Sequence, residues 1–231
     1  MDFLENKFFL LAITFGFYFL SKLWQKKTGW VLLNPILIAI ALLICFLKCT
    51  GVSYEKYSEA GSLVEFWLKP AVVALGVPLY LQLKMIKKQL MPIVISQLAG
   101  CVVGLVSVTV IAKVMGASPE VVMSLAPKSV TTPIAMEVSN AVGGIPSLTA
   151  AVVIVVGLFG AICGFKVLQV GHVGSPIAQG LSMGTASHAV GTSRAMEVSG
   201  KYGAYASLGL TLNGILTALL TPTILHMLGM Y

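Results

Sequence analysis

Lys128, His188 and Arg194 lie in two polar stretches, 115–146 and 171–203, set among runs such as 89–112 and 202–231 that hold no charged residue. A cation kept in an apolar setting costs several kcal/mol unless it is paired or hydrated, so such residues mark substrate or ion paths. Arg194 is the only arginine in the chain, and its planar fork matches both oxygens of a carboxylate. The hydroxyls of Ser129, Thr131, Thr132, Ser187 and Thr192 add neutral donors. A small organic anion fits this inventory. Glu137 and Glu197 occupy corresponding positions. Burial raises a carboxyl pKa and histidine titrates near neutrality, so Glu137, Glu197 and His188 are the candidates for carrying a coupled proton. The two glutamates are also available to pair with Lys128 and Arg194, which is a structural role. Asn34, just before Pro35, is a further candidate for lining the path.

These side chains need elements that carry them into the membrane and stop there. The first stretch reads Ala126-Pro127-Lys128-Ser129-Val130-Thr131-Thr132-Pro133, and its prolines free backbone groups by disrupting helical bonding. The second reads Gly184-Thr185-Ala186-Ser187-His188-Ala189-Val190-Gly191-Thr192-Ser193-Arg194, with glycines and hydroxyls in place of prolines. Irregular backbone at membrane depth survives only when it is buried in protein or lines a watery cavity. The stretches are also copies of each other. Ala-Met-Glu-Val-Ser stands at 135–139 and 195–199, Ser-Pro at 118 and 175, and Val-Val-Gly-Leu at 102–105 and 155–158. Interrupted helices at matching places in two repeats are how many transporters build a substrate site. Each stretch is either a re-entrant hairpin or a broken spanning helix. Arms of about ten residues reach roughly 15 Å, about half the bilayer, which favours hairpins and so an inverted repeat.

The rest of the chain supports a lipid setting. Of 231 residues 57% are hydrophobic and 10% charged, with mean hydropathy +0.94, against roughly a quarter charged in globular chains. The expected fold is an all-α polytopic membrane protein of about six spans plus the two interrupted segments. The spans fall near Phe8–Trp24, Trp30–Leu47, Trp67–Leu83, Pro92–Lys113, Ser147–Val167 and Ala204–Leu228. Residues 49–66 read as an aqueous loop with a weak interfacial helix. Residues 1–90 form an N-terminal scaffold or partner region, and 91–231 the duplicated core. The net charge of +7 comes from lysines strung between apolar runs, which is a topology signal and no nucleic-acid footprint. Lysines at 22–27 and 84–88 put those loops in the cytoplasm and both termini outside. Cys45, Cys49, Cys101 and Cys163 lack zinc or disulfide spacing. No catalytic order, metal motif or nucleotide loop is present in the required context, so neither an enzyme nor a cofactor is expected. The short length favours a homo- or hetero-oligomer.

The sequence resembles the LrgB/CidB family of bacterial membrane proteins. The likeness rests on Leu33-Asn34-Pro35, on 69–75 and 115–120, on Pro127-Lys128-Ser129-Val130-Thr131-Thr132-Pro133-Ile134-Ala135, and on Met183-Gly184-Thr185-Ala186-Ser187-His188-Ala189-Val190-Gly191-Thr192. It covers nearly the whole chain. The resemblance implies residence in the bacterial inner membrane, a small holin-like LrgA/CidA-type partner, and one of two roles. One is secondary transport of small monocarboxylates of the pyruvate, glycolate or glycerate type. The other is antiholin-like regulation of murein hydrolase export and autolysis. A holin-type lesion places no demand for a duplicated, kinked, cation-bearing centre, so the residues themselves favour transport.

Overall fold

The computed structural model describes residues 4–29, 33, 35–67, 70, 80, 87 and 89–230. Every regular element among them is a helix. Asn34 and nearly all of the expected third span lie outside the described residues. The chain divides into two compact units, Met1–Ala71 and Val72–Tyr231.

The first unit holds α1 (Lys7–Thr28), α2 (Pro35–Thr50) and α3 (Tyr54–Glu65). Asn6 starts α1 by accepting from the amides of Phe8 and Phe9, and Gly29 ends it in the left-handed conformation, φ 69°. The weak helix expected within 49–66 is α3, whose 12 residues begin under a Ser53 cap. It is pinned to the start of α1 by Lys7–Glu59 at 2.6 Å and by a Lys56–Glu5 pair. The Lys7 ammonium holds the Glu59 carboxyl below the usual carboxylate range. Leu10, Val52 and Ala60 are buried together beneath these contacts. Cys45 and Cys49 share one face of α2, sulfurs 4.0 Å apart.

The second unit runs α4 (Leu90–Val114), α5 (Pro119–Leu125), α6 (Thr132–Ala141), α7 (Pro146–Val170), α8 (Pro176–Val198) and α9 (Gly200–Met227). Proline occupies the first turn of α5, α6, α7 and α8, where its missing N–H costs nothing. Four described helices are long and apolar enough to cross a bilayer, namely α1, α4 from Met91, α7 and α9, while α2 is apolar but shorter. Their order in this unit, long helices alternating with polar interrupted segments, follows the duplication.

Both polar segments turn back on themselves. In the first, the amide of Ile145 donates to Ser124 Oγ at 2.7 Å, and Thr149 Oγ1 donates to Ser124 O at 2.9 Å. The chain therefore leaves Ser124, passes the Ala126–Thr131 break, and returns along α6 to the same place. In the second, α8 is broken at Ser187 (φ −129°, ψ 17°) and His188 (φ 42°, ψ −135°). A Cβ on Gly191 would lie 2.6 Å from Met183 O, although eight residues of unbroken helix span roughly 12 Å. Met183 and Ala195 share a buried cluster with Ala206 of α9, so the second arm of α8 runs back beside the first.

The long helices clasp these hairpins through small residues. Cβ atoms at Gly180 and Gly184 would run into α9 backbone between Tyr202 and Leu210, so only glycine lets the first arm of α8 lie so close. α4 runs alongside α9 in the same direction. Ile93 clusters with Tyr205 and Leu208, Cys101 meets Thr217 at 3.4 Å, and Lys113 Nζ donates to Leu228 O at 3.0 Å. At the end where the first hairpin enters, Cys101, Leu105, Met123, Ala126, Val142 and Leu225 close into an apolar plug.

Candidate functional site

The two breaks meet at one side chain. Asn213, halfway along the 28-residue α9, donates through Nδ2 to Ser129 O in the first break at 3.2 Å and to Thr185 O just before the second at 3.0 Å. Carbonyls released by an interrupted helix must find a donor, and a single amide supplies both. It is 2% exposed, and its oxygen Oδ1 has no hydrogen-bond partner. The residues following each break open a helix, α6 at Thr132 and the second arm of α8 after His188. Helix N-termini carry free amides and partial positive charge.

Lys128 stands at this junction. It is half-buried, and its ammonium donates to Ser129 Oγ at 2.9 Å. No carboxylate among the described residues comes within ion-pair distance of it. It lines two cavities, one on each side of the first arm of α8. The larger, of about 540 Å³, lies against α4 and α9 and includes Gln97, Ser129, Thr185 and Asn213. The other, of about 470 Å³, lies against α7 and includes Phe159, Cys163 and Ser187. Ser182 and Ala186 join Lys128 in both linings. Each cavity is large enough for a three-carbon acid.

The remaining expected residues divide into those at the tips and those away from them. Ser129 faces the larger cavity and Ser187 the smaller. His188 is buried, with Nε2 2.8 Å from Val153 O, and Thr192 Oγ1 donates to His188 O at 2.8 Å. Gly157 makes room for the imidazole and Gly160 for Ser187, since a Cβ at either would collide with them. Thr131 Oγ1 is buried without a partner, and Thr132 begins α6.

Arg194 does not join Lys128, contrary to expectation. It pairs with Glu197 at 2.7 Å within one turn of the second arm, and it lines neither cavity. The arm returns from the break at His188 towards the surface, carrying Arg194 out with it. Glu137, exposed on α6, is likewise off the tips. Arg194 and Glu197 thus pair within one arm, an i,i+3 contact that does not tie one hairpin to the other, and Lys128 and Glu137 do not pair.

Asn213, Gln97, Thr185 and Ser182 are the residues the sequence reading passed over. Thr185 Oγ1 donates to Gln97 Oε1 at 2.7 Å, tying the first arm of α8 to α4. A signal was available for Asn213, the sole amide side chain in the charge-free run 202–231. A lone amide in a span requires a partner, and usually an interior one.

Long apolar helices alternating with returning polar hairpins define a polytopic helical membrane protein. This chain belongs to the LrgB-like family, whose model matches residues 14–227. It is 39% identical over 94% of both chains to the holin-like protein CidB of Staphylococcus epidermidis. It is 35% identical to the CidB of Staphylococcus aureus, over 94% of both chains. The antiholin-like protein LrgB of Bacillus mycoides is 33% identical over 90% of both. No solved structure matches. The family expected from the motifs is thus borne out. Of the two roles that the resemblance implied, the names of these relatives favour the holin and antiholin one.

Proposed function

We propose that this chain works in a holin-like or antiholin-like membrane system of the kind its relatives are named for, and that its molecular activity there is the transport of small monocarboxylates. The observation that carries the reading is Lys128. It is a cation without a carboxylate partner among the described residues, standing where two returning hairpins touch and lining two cavities at once. A group placed there is reached from either side of the α8 arm and offers charge to an anion, with the amides of two helix starts beside it. Ser129, Ser187, Thr131 and Thr132 contribute neutral donors. Of the candidates for proton coupling, His188 alone stands at the tips, and we assign that role to it.

One long helix plus one returning hairpin reverses direction once per repeat, so we read the core as an inverted repeat with the hairpin tips near the bilayer midplane. Pyruvate, glycolate and glycerate each fit within either cavity. An LrgA/CidA-type partner completes the system in this reading, in the bacterial inner membrane with both termini outside. Purified chain in liposomes, with and without that partner, is expected to accumulate labelled pyruvate or glycolate. Lys128→Ala is expected to reduce uptake by at least about tenfold, on the scale of losing a charge-assisted hydrogen bond, while the protein still elutes as a folded species. Uptake untouched by this change would refute the assignment.

The second reading is a regulator of murein hydrolase activity that moves no solute, and the relatives' names favour it. It expects lysis phenotypes to survive Lys128→Ala as long as partner contacts do.

A further inference from the structure

Building on the transport reading, we propose that Asn213 sets the substrate class, selecting acids that carry a hydroxyl next to the carboxylate over those that carry a keto oxygen there. The amide of Asn213 has only two N–H donors, and both are committed, to Ser129 O and Thr185 O. What remains is Oδ1, which can only accept. It is buried, offers essentially no surface to water and has no partner. A cation is tied to the same serine. Lys128 donates to Ser129 Oγ while Asn213 donates to Ser129 O, and all three residues line the larger cavity.

With its carboxylate on Lys128 and the tips parted, an acid would set its next carbon against this lone acceptor. A hydroxyl there donates to Oδ1. A keto oxygen would set lone pairs against lone pairs, a methylene would leave the acceptor unmet, and an ammonium would face Lys128. Sites built to bond a hydroxyl reject analogues that lack it far more strongly than apolar pockets do. Because Oδ1 is buried away from water, its donor must arrive with the ligand as the tips part around it.

Four three-carbon acids isolate this effect, since lactate, pyruvate, propionate and alanine differ only at that carbon. In liposomes containing the full chain and its small holin-like partner, uptake of labelled lactate and pyruvate is measured, with propionate and alanine as unlabelled competitors. Lactate is expected to be preferred by about tenfold, the cost of one unmet buried acceptor. Asn213→Leu and Asn213→Ala should bring the ratio towards one. Pyruvate taken up as well as lactate, or a preference that survives in either folded variant, would overturn the assignment. If neither variant folds, the ranking by the unaltered protein decides. No uptake of any acid would remove the transport reading itself, an outcome distinct from uptake without preference.

Discussion

His188 shows most clearly how one residue is forced into place. Its φ of 42° lies in the region where side chains are strained, at a cost of about 1–3 kcal/mol. The break holds because Nε2 meets Val153 O and the glycines at 157 and 160 leave room for it. His188→Gly should relieve the strain while giving up one hydrogen bond, worth about 1 kcal/mol. His188→Val keeps the strain, loses the bond and adds a branched carbon. Thermal unfolding in detergent should rank the valine variant well below the glycine one, and equal melting would show that the backbone conformation is not under strain. Gly184 tests the neighbouring contact, since its Cβ would enter the backbone of α9 at Ala206. Gly184→Val should destabilise by about 1–3 kcal/mol through overpacking, read by the same melting.

At the scale of elements, the hairpins are what separates this protein from a bundle of spanning helices. Met183 and Ala195 would be roughly 18 Å apart in a continuous helix, yet they share a buried cluster. In a cysteine-free background, Met183→Cys with Ala195→Cys should be joined by a short thiol crosslinker. Failure to join, with both positions reactive singly, would mean a straight helix. The position of the breaks was legible from Pro127, Pro133 and the Gly184–Gly191 stretch, because those residue types cannot continue a helix undisturbed. The arms of the first hairpin and a helix somewhere within 49–66 were legible too, the latter from its glutamates, glycines and tyrosines, although its limits at Tyr54 and Glu65 were not. The destination of Arg194 was not, since charge alone does not tell whether a side chain six residues past a break has already returned towards the surface. Asn213 was overlooked because its role depends on two carbonyls far away in sequence, brought together only by folding.

The second unit, taken as a whole, is asymmetric. An apolar plug of Leu105, Met123, Val142, Leu225 and their neighbours closes the end where the first hairpin enters. The larger cavity runs from the start of α4 and the base of the second hairpin past Lys128 to the edge of this cluster, where Cys101, Leu105 and Ala126 belong to both. In the transport reading a solute passes the hairpin junction at Lys128, a route far narrower than a holin-type lesion. That property separates the transport reading both from a wide lesion and from a regulator that moves no solute. The decisive measurement loads liposomes bearing the protein and its partner with labelled glycolate together with a fluorescent dye much larger than the 540 Å³ cavity. Transport through the Lys128 junction gives acid exchange with the dye retained, and Lys128→Ala stops the exchange. Release of dye along with the acid, or exchange indifferent to Lys128, would contradict it.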